Sequence, residues 1–517
     1  MKKLLCIILS VLVLFSLSAC KGEDNPPGNN DTPVTDASSS DEPVTDADSK
    51  ENRHTLALPY SEKDSLNPYL AKTQINTQLS TLIYDSLYRL DSTYSPIALI
   101  AKNGTVDGKY LTVTLQKDIF FTDKSLLSSE DVVYSFNLAK QSSTYSSLLS
   151  GFASAVATDT YVVRFELEKT DVYACNCLTF PIIREGDGES AKPKGSGRYY
   201  LAGSSLKYNP SHFSGKAPKI KTVSLFDIKD NAAAMGALQI GNIRFFFSDS
   251  AETPLDRVSA NYKPVILNSL VFLSFNSSDK LLKSSVLRRI ISLAVDKDEI
   301  AENAYRGYAE KTDTPFNPHW SEVSELKKPE SITPLQVTEM LDENGYKYRN
   351  NSDLYRRDKK GNELSFTLVT NSDDSSRTEA ASYIKSQLGA VGINIEVREL
   401  KYEKFLKAVK DRDFDMYLGE IRLCENMALS TFFTKNGSTS CGIKTGGACA
   451  AEYEKLLKGT ASVPDFVDLF NTEMPFVPLC YRSGMAAISN ELKDNVELNS
   501  NDLFANIYEW QFDSQHE

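Results

Sequence analysis

The sequence predicts a mixed α/β protein, and three observations carry that prediction. Leu364-Ser-Phe-Thr-Leu-Val369, an amphipathic stretch over 376–390 and Ile393-Asn-Ile-Glu-Val397 make a strand–helix–strand unit, the pattern of parallel strands joined by a crossover helix. Leu270-Val-Phe-Leu-Ser-Phe275 is almost continuously apolar, as expected of a strand covered on both faces. Helical and strand periodicities alternate along the rest of the chain.

In chain order, His54-Thr-Leu-Ala-Leu-Pro-Tyr60 reads as a strand and Ser65-Leu-Asn-Pro-Tyr69 as a turn fixed by Pro68. Gln74 to Arg89 places Leu79, Leu82, Ile83 and Leu87 on one helical face. Asp107-Gly108 joins Lys102–Val106 to the alternating Tyr110–Leu115, a hairpin. Ser129-Glu130-Asp131 opens a helix through Val132, Val133, Phe136 and Leu138. Val286 to Ala304 predicts a helix with Arg288-Arg289 on one side and Ile290, Ile291, Leu293 and Ala294 inward. Phe414–Leu418 and Phe476–Cys480 predict further short strands.

The chain has 517 residues, 69 acidic and 57 basic side chains, so its formal charge is 57 − 69 = −12. That balance argues against a nucleic-acid binder, which needs clustered Lys and Arg. The length suits two or three domains. The four histidines, His54, His212, His319 and His516, are far apart, so no metal centre or other cofactor is expected.

Residues 1–53 predict an address and a tether. Lys2 and Lys3 precede a 14-residue apolar run, Leu4–Leu17, which is short for a membrane span. It ends in Leu17-Ser18-Ala19-Cys20, which resembles a bacterial lipobox. The resemblance implies a signal peptide over 1–19 and lipidation at Cys20. Residues 21–50 lack aromatic residues, Leu and Ile, and cannot bury enough apolar surface to offset chain entropy. They predict a flexible acidic tether with a reach of roughly 30 Å. The expected location is the extracytoplasmic face of the bacterial cytoplasmic membrane, at the cell surface or in the periplasm. Beyond Cys20 stand Cys175, Cys177, Cys424, Cys441, Cys449 and Cys480. An exported chain can form disulfides, and Cys441 with Cys449, flanking a Gly-rich loop, make the most plausible local pair.

The order of several short motifs resembles family 5 solute-binding lipoproteins of peptide- and nickel-type ABC importers. These are Leu66-Asn67-Pro68, Ile83-Tyr-Asp-Ser-Leu87, Phe121-Thr-Asp with Ser129-Glu-Asp-Val-Val-Tyr-Ser-Phe136, and Pro193-Lys-Gly-Ser-Gly-Arg-Tyr199. Phe275-Asn276, Leu287-Arg288-Arg289, Leu293-Ala-Val-Asp296, Gly392-Ile-Asn-Ile, Phe414-Asp-Met and Met474-Pro-Phe-Val-Pro-Leu479 continue the series. Lys124 stands where the family usually has Gly. The resemblance covers about residues 54–512. It implies a two-lobe periplasmic-binding-protein fold of type II, in the large peptide-binder class. Lobe I would be 54–269, with an extra inserted subdomain at about 94–192. Lobe II would be 270–468, and 469–517 would return to lobe I. Crossings near Asn268–Asn276 and Asp468–Pro478 would form the hinge.

The resemblance further implies a monomeric, non-enzymatic protein that captures a peptide or other small solute by closing a cleft. An ABC permease with its ATPase would be the partner, and the lipid would hold the chain to the membrane. Relatives often supply an Asp for the peptide ammonium after the motif at Phe414-Asp-Met. Here the stretch reads Gly419-Glu-Ile-Arg-Leu-Cys-Glu-Asn-Met-Ala428, without Asp. Glu420, Ile421 and Arg422 are the resulting candidates, with Glu425 as a further source of charge. Arg422 suits a carboxylate, because its planar fork binds two oxygens. The bland alternative is that Glu420 and Arg422 pair with each other across a strand. Gln74, Asn76, Tyr145, Phe272 and Ser274 fall where relatives place contacts.

Other readings stay open. A nickel or metal–chelate ligand is one, with the chelator's carboxylate at Arg422, and a sensing or adhesion lipoprotein of the same fold is another. The enzyme rival is a penicillin-binding-type acyl transferase, since Ser277-Ser-Asp-Lys280, Tyr348-Arg-Asn350 and Lys444-Thr-Gly446 stand in order. Against it, Ser277 follows a strand and Lys444 lies in a Gly- and Ser-rich loop.

Overall fold

The computed structural model describes residues 55–249, 257–327 and 332–513. The expected signal peptide, Cys20 and tether lie outside the described residues.

The chain opens with β1 (Leu56–Tyr60), α1 (Gln74–Ile83), β2 (Tyr88–Leu90) and β3 (Pro96–Ala98). Next come β4 (Ala101–Asp107), β5 (Tyr110–Leu115), α2 (Ser129–Gln141), β6 (Phe152–Asp159) and β7 (Val162–Leu167). Then come β8 (Tyr199–Ala202), β9 (Ser205–Tyr208), β10 (Thr222–Asp227), α3 (Asn231–Gln239) and β11 (Phe245–Ser248). The second half holds β12 (Asn261–Phe275), α4 (Ser285–Ala294), β13 (Ala309–Lys311), α5 (Pro334–Glu343), β14 (Ser365–Asn371) and α6 (Ser375–Ala390). It closes with β15 (Asn394–Leu400), α7 (Tyr402–Asp411), β16 (Met416–Arg422), α8 (Ala448–Leu457), α9 (Val463–Glu473) and β17 (Phe476–Ile488).

Among the described residues two large cores organise these elements, with a third, small one under α3. The first joins residues from β1 through β11 to Val265, Leu267 and the C-terminal stretch Ala486–Trp510. The second runs from Leu270 to Tyr481 and takes in Leu90 and Tyr94. Among the described residues two long strands, β12 and β17, pass from one large core to the other. Along β12 the core changes between Leu267 and Leu270, where its pairing with β17 is irregular. Along β17 it changes between Tyr481 and Ala486. Both strands belong to a seven-stranded sheet ordered β11-β17-β12-β16-β14-β15, with β13 beside β17. The crossover unit is as expected, since β14 and β15 pair in parallel from Ser365 opposite Asn394. The first lobe adds a sheet ordered β1-β10-β9-β8 and another ordered β4-β5-β7-β6. In the latter, Asp107-Gly108 makes the expected hairpin, with Gly108 at φ +56°, a backbone region where glycine has no Cβ penalty.

Two expected helices are shorter than the apolar spacing suggested. α1 stops at Ile83, because Tyr84 is extended and the chain turns into β2. Leu87 is buried there without being helical. α4 stops at Ala294, and Asp296 caps a new turn by accepting from the Glu299 N–H at 3.1 Å. Ile300–Ala304 continues as a π-helical turn. Arg288, expected on an outer face, is buried. Its Nε donates to the Met474 carbonyl at 2.8 Å and its Nη1 to the Leu282 carbonyl at 2.7 Å. One backbone acceptor six residues away and one from a distant segment thus make a buried cation tolerable. The cap of α2 is Ser128, in a reciprocal capping box with Asp131. No described helix is long and apolar enough to cross a membrane.

All six described cysteines are free thiols, so Cys441 and Cys449 are not bridged. The acyl-transferase motifs are occupied otherwise. The Ser277 hydroxyl donates to the Gly442 carbonyl at 2.6 Å, and the Tyr348 ring carries the Arg356 guanidinium at 4.7 Å.

Candidate functional site

A cavity of about 780 Å³ opens beside the place where β12 and β16 leave the second core. One wall is α1. Gln74, Thr77, Gln78 and Thr81 line the cavity, and their spacing puts them on one helical face. Leu79, Leu82 and Ile83 cover the first core on the other. The entry of α1 is fixed by Asp64. Its carboxylate accepts from the Thr73 N–H and hydroxyl, both at 2.7 Å, from the Lys72 N–H at 2.9 Å and from the Ser65 N–H at 2.9 Å. Burial works to raise the Asp64 carboxyl, but these hydrogen bonds outweigh it and hold the group below its ordinary range.

The opposite wall comes from the end of β16. Met416, Leu418, Glu420 and Arg422 alternate onto one face of the strand. Met416 and Leu418 are buried in the second core, and the face becomes charged as the strand emerges. Arg422 lines the cavity with its side chain half exposed, and its Nη1 lies 4.0 Å from Asp249 Oδ2. Asp249 stands one residue past the buried strand β11 and lines the same space. Leu423, Cys424 and Glu425 continue the wall. Burial pushes the Glu425 carboxyl up, and the nearby Arg422 charge opposes that rise. Tyr145 covers another side, with its ring edge-on to Tyr69 at 5.8 Å between centres. Burial raises the Tyr145 phenol to about 12.

The floor is a polar network of the first lobe. Arg198 donates to Asp502 at 3.1 Å and to the Phe504 carbonyl at 2.8 Å. His212 Nε2 lies 3.2 Å from Asp85 Oδ2, and its Nδ1 lies 2.7 Å from the Ser214 hydroxyl. Arg89 also lines the cavity; its Nη1 donates to the Ala505 carbonyl at 3.2 Å, and its Nε has no partner. The site therefore offers charges of both signs around a polar helix face. Among the described residues no cluster of His, Cys, Asp and Glu suits a metal ion.

Of the residues expected from sequence, Gln74, Tyr145 and Arg422 line this cavity. Asn76 does not. It is fully buried, its Oδ1 accepts from the Ser61 N–H at 2.8 Å, and its Nδ2 donates to the Ser61 and Ser65 carbonyls at 3.0 Å. Phe272 lies in the second core among Tyr417, Phe432 and Phe476, and Ser274 is buried in the same strand. Ile421, on the other face of β16, packs against that core. Glu420 pairs neither with ligand space nor with Arg422. Its carboxylate meets Arg482 Nη1 at 3.1 and 3.2 Å and lies 4.0 Å from Arg377 Nε. Asp249, Arg89 and His212 had no sequence signal beyond being polar residues near apolar strands, and Asp85 stood in the motif Ile83–Leu87 with no role attached to it.

Comparison with known proteins fits this geometry. The model of the family "Bacterial extracellular solute-binding proteins, family 5 Middle" matches residues 95–434. The oligopeptide-binding protein AppA of Bacillus subtilis is 24% identical over 97% of this chain and 97% of its own. Among solved structures, the MppA periplasmic murein tripeptide-binding protein, in its unliganded open form, aligns with a TM-score of 0.72 at 16% identity. That alignment covers 89% of this chain and 97% of the other. A nickel ABC transporter protein from Bacillus halodurans aligns with a TM-score of 0.71 at 19% identity, over 87% of this chain and 98% of its own. These likenesses establish the two-lobe α/β fold.

Proposed function

The chain belongs to the bacterial extracellular solute-binding proteins of family 5, and we propose that it captures a peptide, or a similar small solute, in the cavity between its lobes. The observation that carries this reading is that Arg422 and Glu425, from the end of β16, line one cavity together with α1, Tyr145 and Asp249. A solute that touches both walls favours the closed state by the difference between its affinities for closed and open forms. Arg422 takes a carboxylate, Glu425 an ammonium, and Gln74 and Gln78 the amide groups between them. No bond is made or broken, and an ABC permease with its ATPase receives the closed form.

The AppA relative, named for oligopeptides, supports the peptide reading over nearly the whole chain. A metal–chelate ligand is the second reading, favoured by the nickel-named relative of like fold. It would be held through the chelator's carboxylates, because His212, the one cavity-lining histidine among the described residues, already engages Asp85 and Ser214. We further propose removal of residues 1–19, lipidation of Cys20 and a tether to residue 53, which would hold a monomer outside the cytoplasmic membrane. Residues 54–269 and 469–517 would then form one lobe and 270–468 the other.

The test is native mass spectrometry on a soluble chain of residues 53–517, as purified and after unfolding and refolding. A co-purified mass that is lost on refolding and fragments as a peptide is the expected result. If nothing co-purifies and a peptide pool gives no bound species, while nickel with histidine does, the chelate reading replaces the peptide one.

A further inference from the structure

Outside the two long strands, the lobes also meet at the segment Lys169–Cys177 of the first lobe. Lys169 pairs with Glu454. The Val172 N–H donates to the Leu457 carbonyl at 3.0 Å. The Tyr173 ring meets Trp320 edge-on, 5.2 Å between centres. Asn176 Nδ2 donates to the Glu425 carbonyl at 3.3 Å. Between these contacts Asp171 accepts from Asn426 Nδ2 at 2.6 Å and from the Tyr173 N–H at 2.9 Å. Both donors are neutral. Among the described residues no Lys, Arg or His nitrogen lies within 4.0 Å of this carboxylate. Asn426 directly follows Glu425, a cavity wall residue.

We propose that Lys169–Cys177 is a proton-linked latch between the lobes: it docks when Asp171 is protonated, holding the Arg422–Asn426 wall of the cavity, and loosens when Asp171 is charged. The latch regulates the site described above and so rests on the solute-binding reading. A charged carboxylate with only neutral partners gives up hydration when it docks, and the neutral acid gives up far less. Burial accordingly raises the Asp171 carboxyl to about 6, against the pull of the Tyr173 and Asn426 hydrogen bonds. Released into water, the group would return to about 3.9. The docked form therefore binds the proton more tightly. Its extra stability is complete below about pH 4 and is lost as the pH rises through about 6.

The facing groups do not reverse this sign. Tyr173, Cys175 and Cys177 on the latch, Cys424 on the cavity wall and Tyr453 on α8 are pushed upward by burial and stay neutral in this range. Glu425, also raised by burial against the pull of Arg422, titrates in the same direction. Glu322 beside Tyr173 and the exposed Lys169–Glu454 pair are the remaining charges.

The chain has two tryptophans, Trp320 at the latch and Trp510 in the first core. The test follows Trp320 emission in the full chain carrying Trp510→Phe, without added solute, between pH 4.5 and 8. A single transition near pH 6, with Trp320 more shielded on the acid side, is expected. Asp171→Asn should keep the acid-type emission up to pH 8. Asn426→Asp, which sets a second carboxylate against the first, should shift emission to the loosened type at pH 8. Emission that does not change with pH, an Asp171→Asn variant that titrates like its parent, or an Asn426→Asp variant with docked emission at pH 8 each overturns the latch. No solute enters the measurement, so its failure would leave the capture reading standing, and the two failures are read by different experiments.

Discussion

Glu420 on β16 reaches over β12 to Arg482 on β17, and the two carboxylate oxygens lie 3.1 and 3.2 Å from Arg482 Nη1. With Arg377 at 4.0 Å, this carboxylate ties a crossing strand to its sheet and is not free for a solute. Its side chain is 15% exposed and that of Arg482 13%, so removing one partner leaves a poorly hydrated charge. Glu420→Ala should cost about 3 kcal/mol in urea unfolding, the lower end for a broken buried pair because some water reaches it. Solute affinity measured well below the melting temperature should be nearly unchanged. A large loss of affinity with unchanged stability would return Glu420 to the binding site.

Arg422 should behave in the opposite way. Its side chain is 55% exposed, with Asp249 only at 4.0 Å, so the fold gains little from it. A charge-assisted hydrogen bond to a solute carboxylate is worth about 1.5–3 kcal/mol, and Arg422→Ala should weaken binding by roughly 10- to 100-fold at an unchanged melting temperature. Arg422→Lys should restore only part, because Lys lacks the planar fork. Titration calorimetry with the co-purified solute measures both.

Gln74 and Asn76 lie two residues apart and should separate cleanly. Asn76→Ala leaves the Ser61 N–H and two carbonyls without their partner, at a cost of about 1–3 kcal/mol in stability. Gln74→Ala touches the cavity wall and should change affinity with the melting temperature intact. Thermal melts with and without solute distinguish the two.

Asp64 predicts an acid dependence. Its carboxyl is held below the ordinary value, because hydrogen bonds from Thr73, Lys72 and Ser65 outweigh burial. Its contribution is present above about pH 4 and is lost as the pH falls through the lowered value. Asp64→Asn should be less stable than the parent by about 1–2 kcal/mol at pH 7. The gap should close in the most acid buffers. A gap that is equal at pH 7 and pH 2.5 in urea midpoints would remove the assignment.

The cysteines give a counting test. A soluble chain from residue 53 onward should show six reactive thiols with a disulfide reagent in denaturant, without prior reduction. A count of four would mean that one pair is bridged after all.

The residue pattern alone carried the α/β class, the crossover unit at 364–397, the hairpin at Asp107-Gly108 and the order of motifs that resembles family 5. These signals are local: periodicity, caps and turn residues act within a few positions. The charges of Gly419–Glu425 stood out only through that resemblance, past a strand expected to end at Leu418 but running on to Arg422. Which of those charges faces the cavity depends on long-range packing. Glu420 and Arg422 share one face of β16, and they part because Arg482 and Arg377 happen to surround one while Asp249, 173 residues earlier, faces the other. The same limit explains Arg288, whose polar pattern suggested solvent until the Met474 and Leu282 carbonyls supplied its partners. A side chain's periodicity records what it prefers to face. Whether a distant segment satisfies or competes for it depends on long-range packing, which no local window contains.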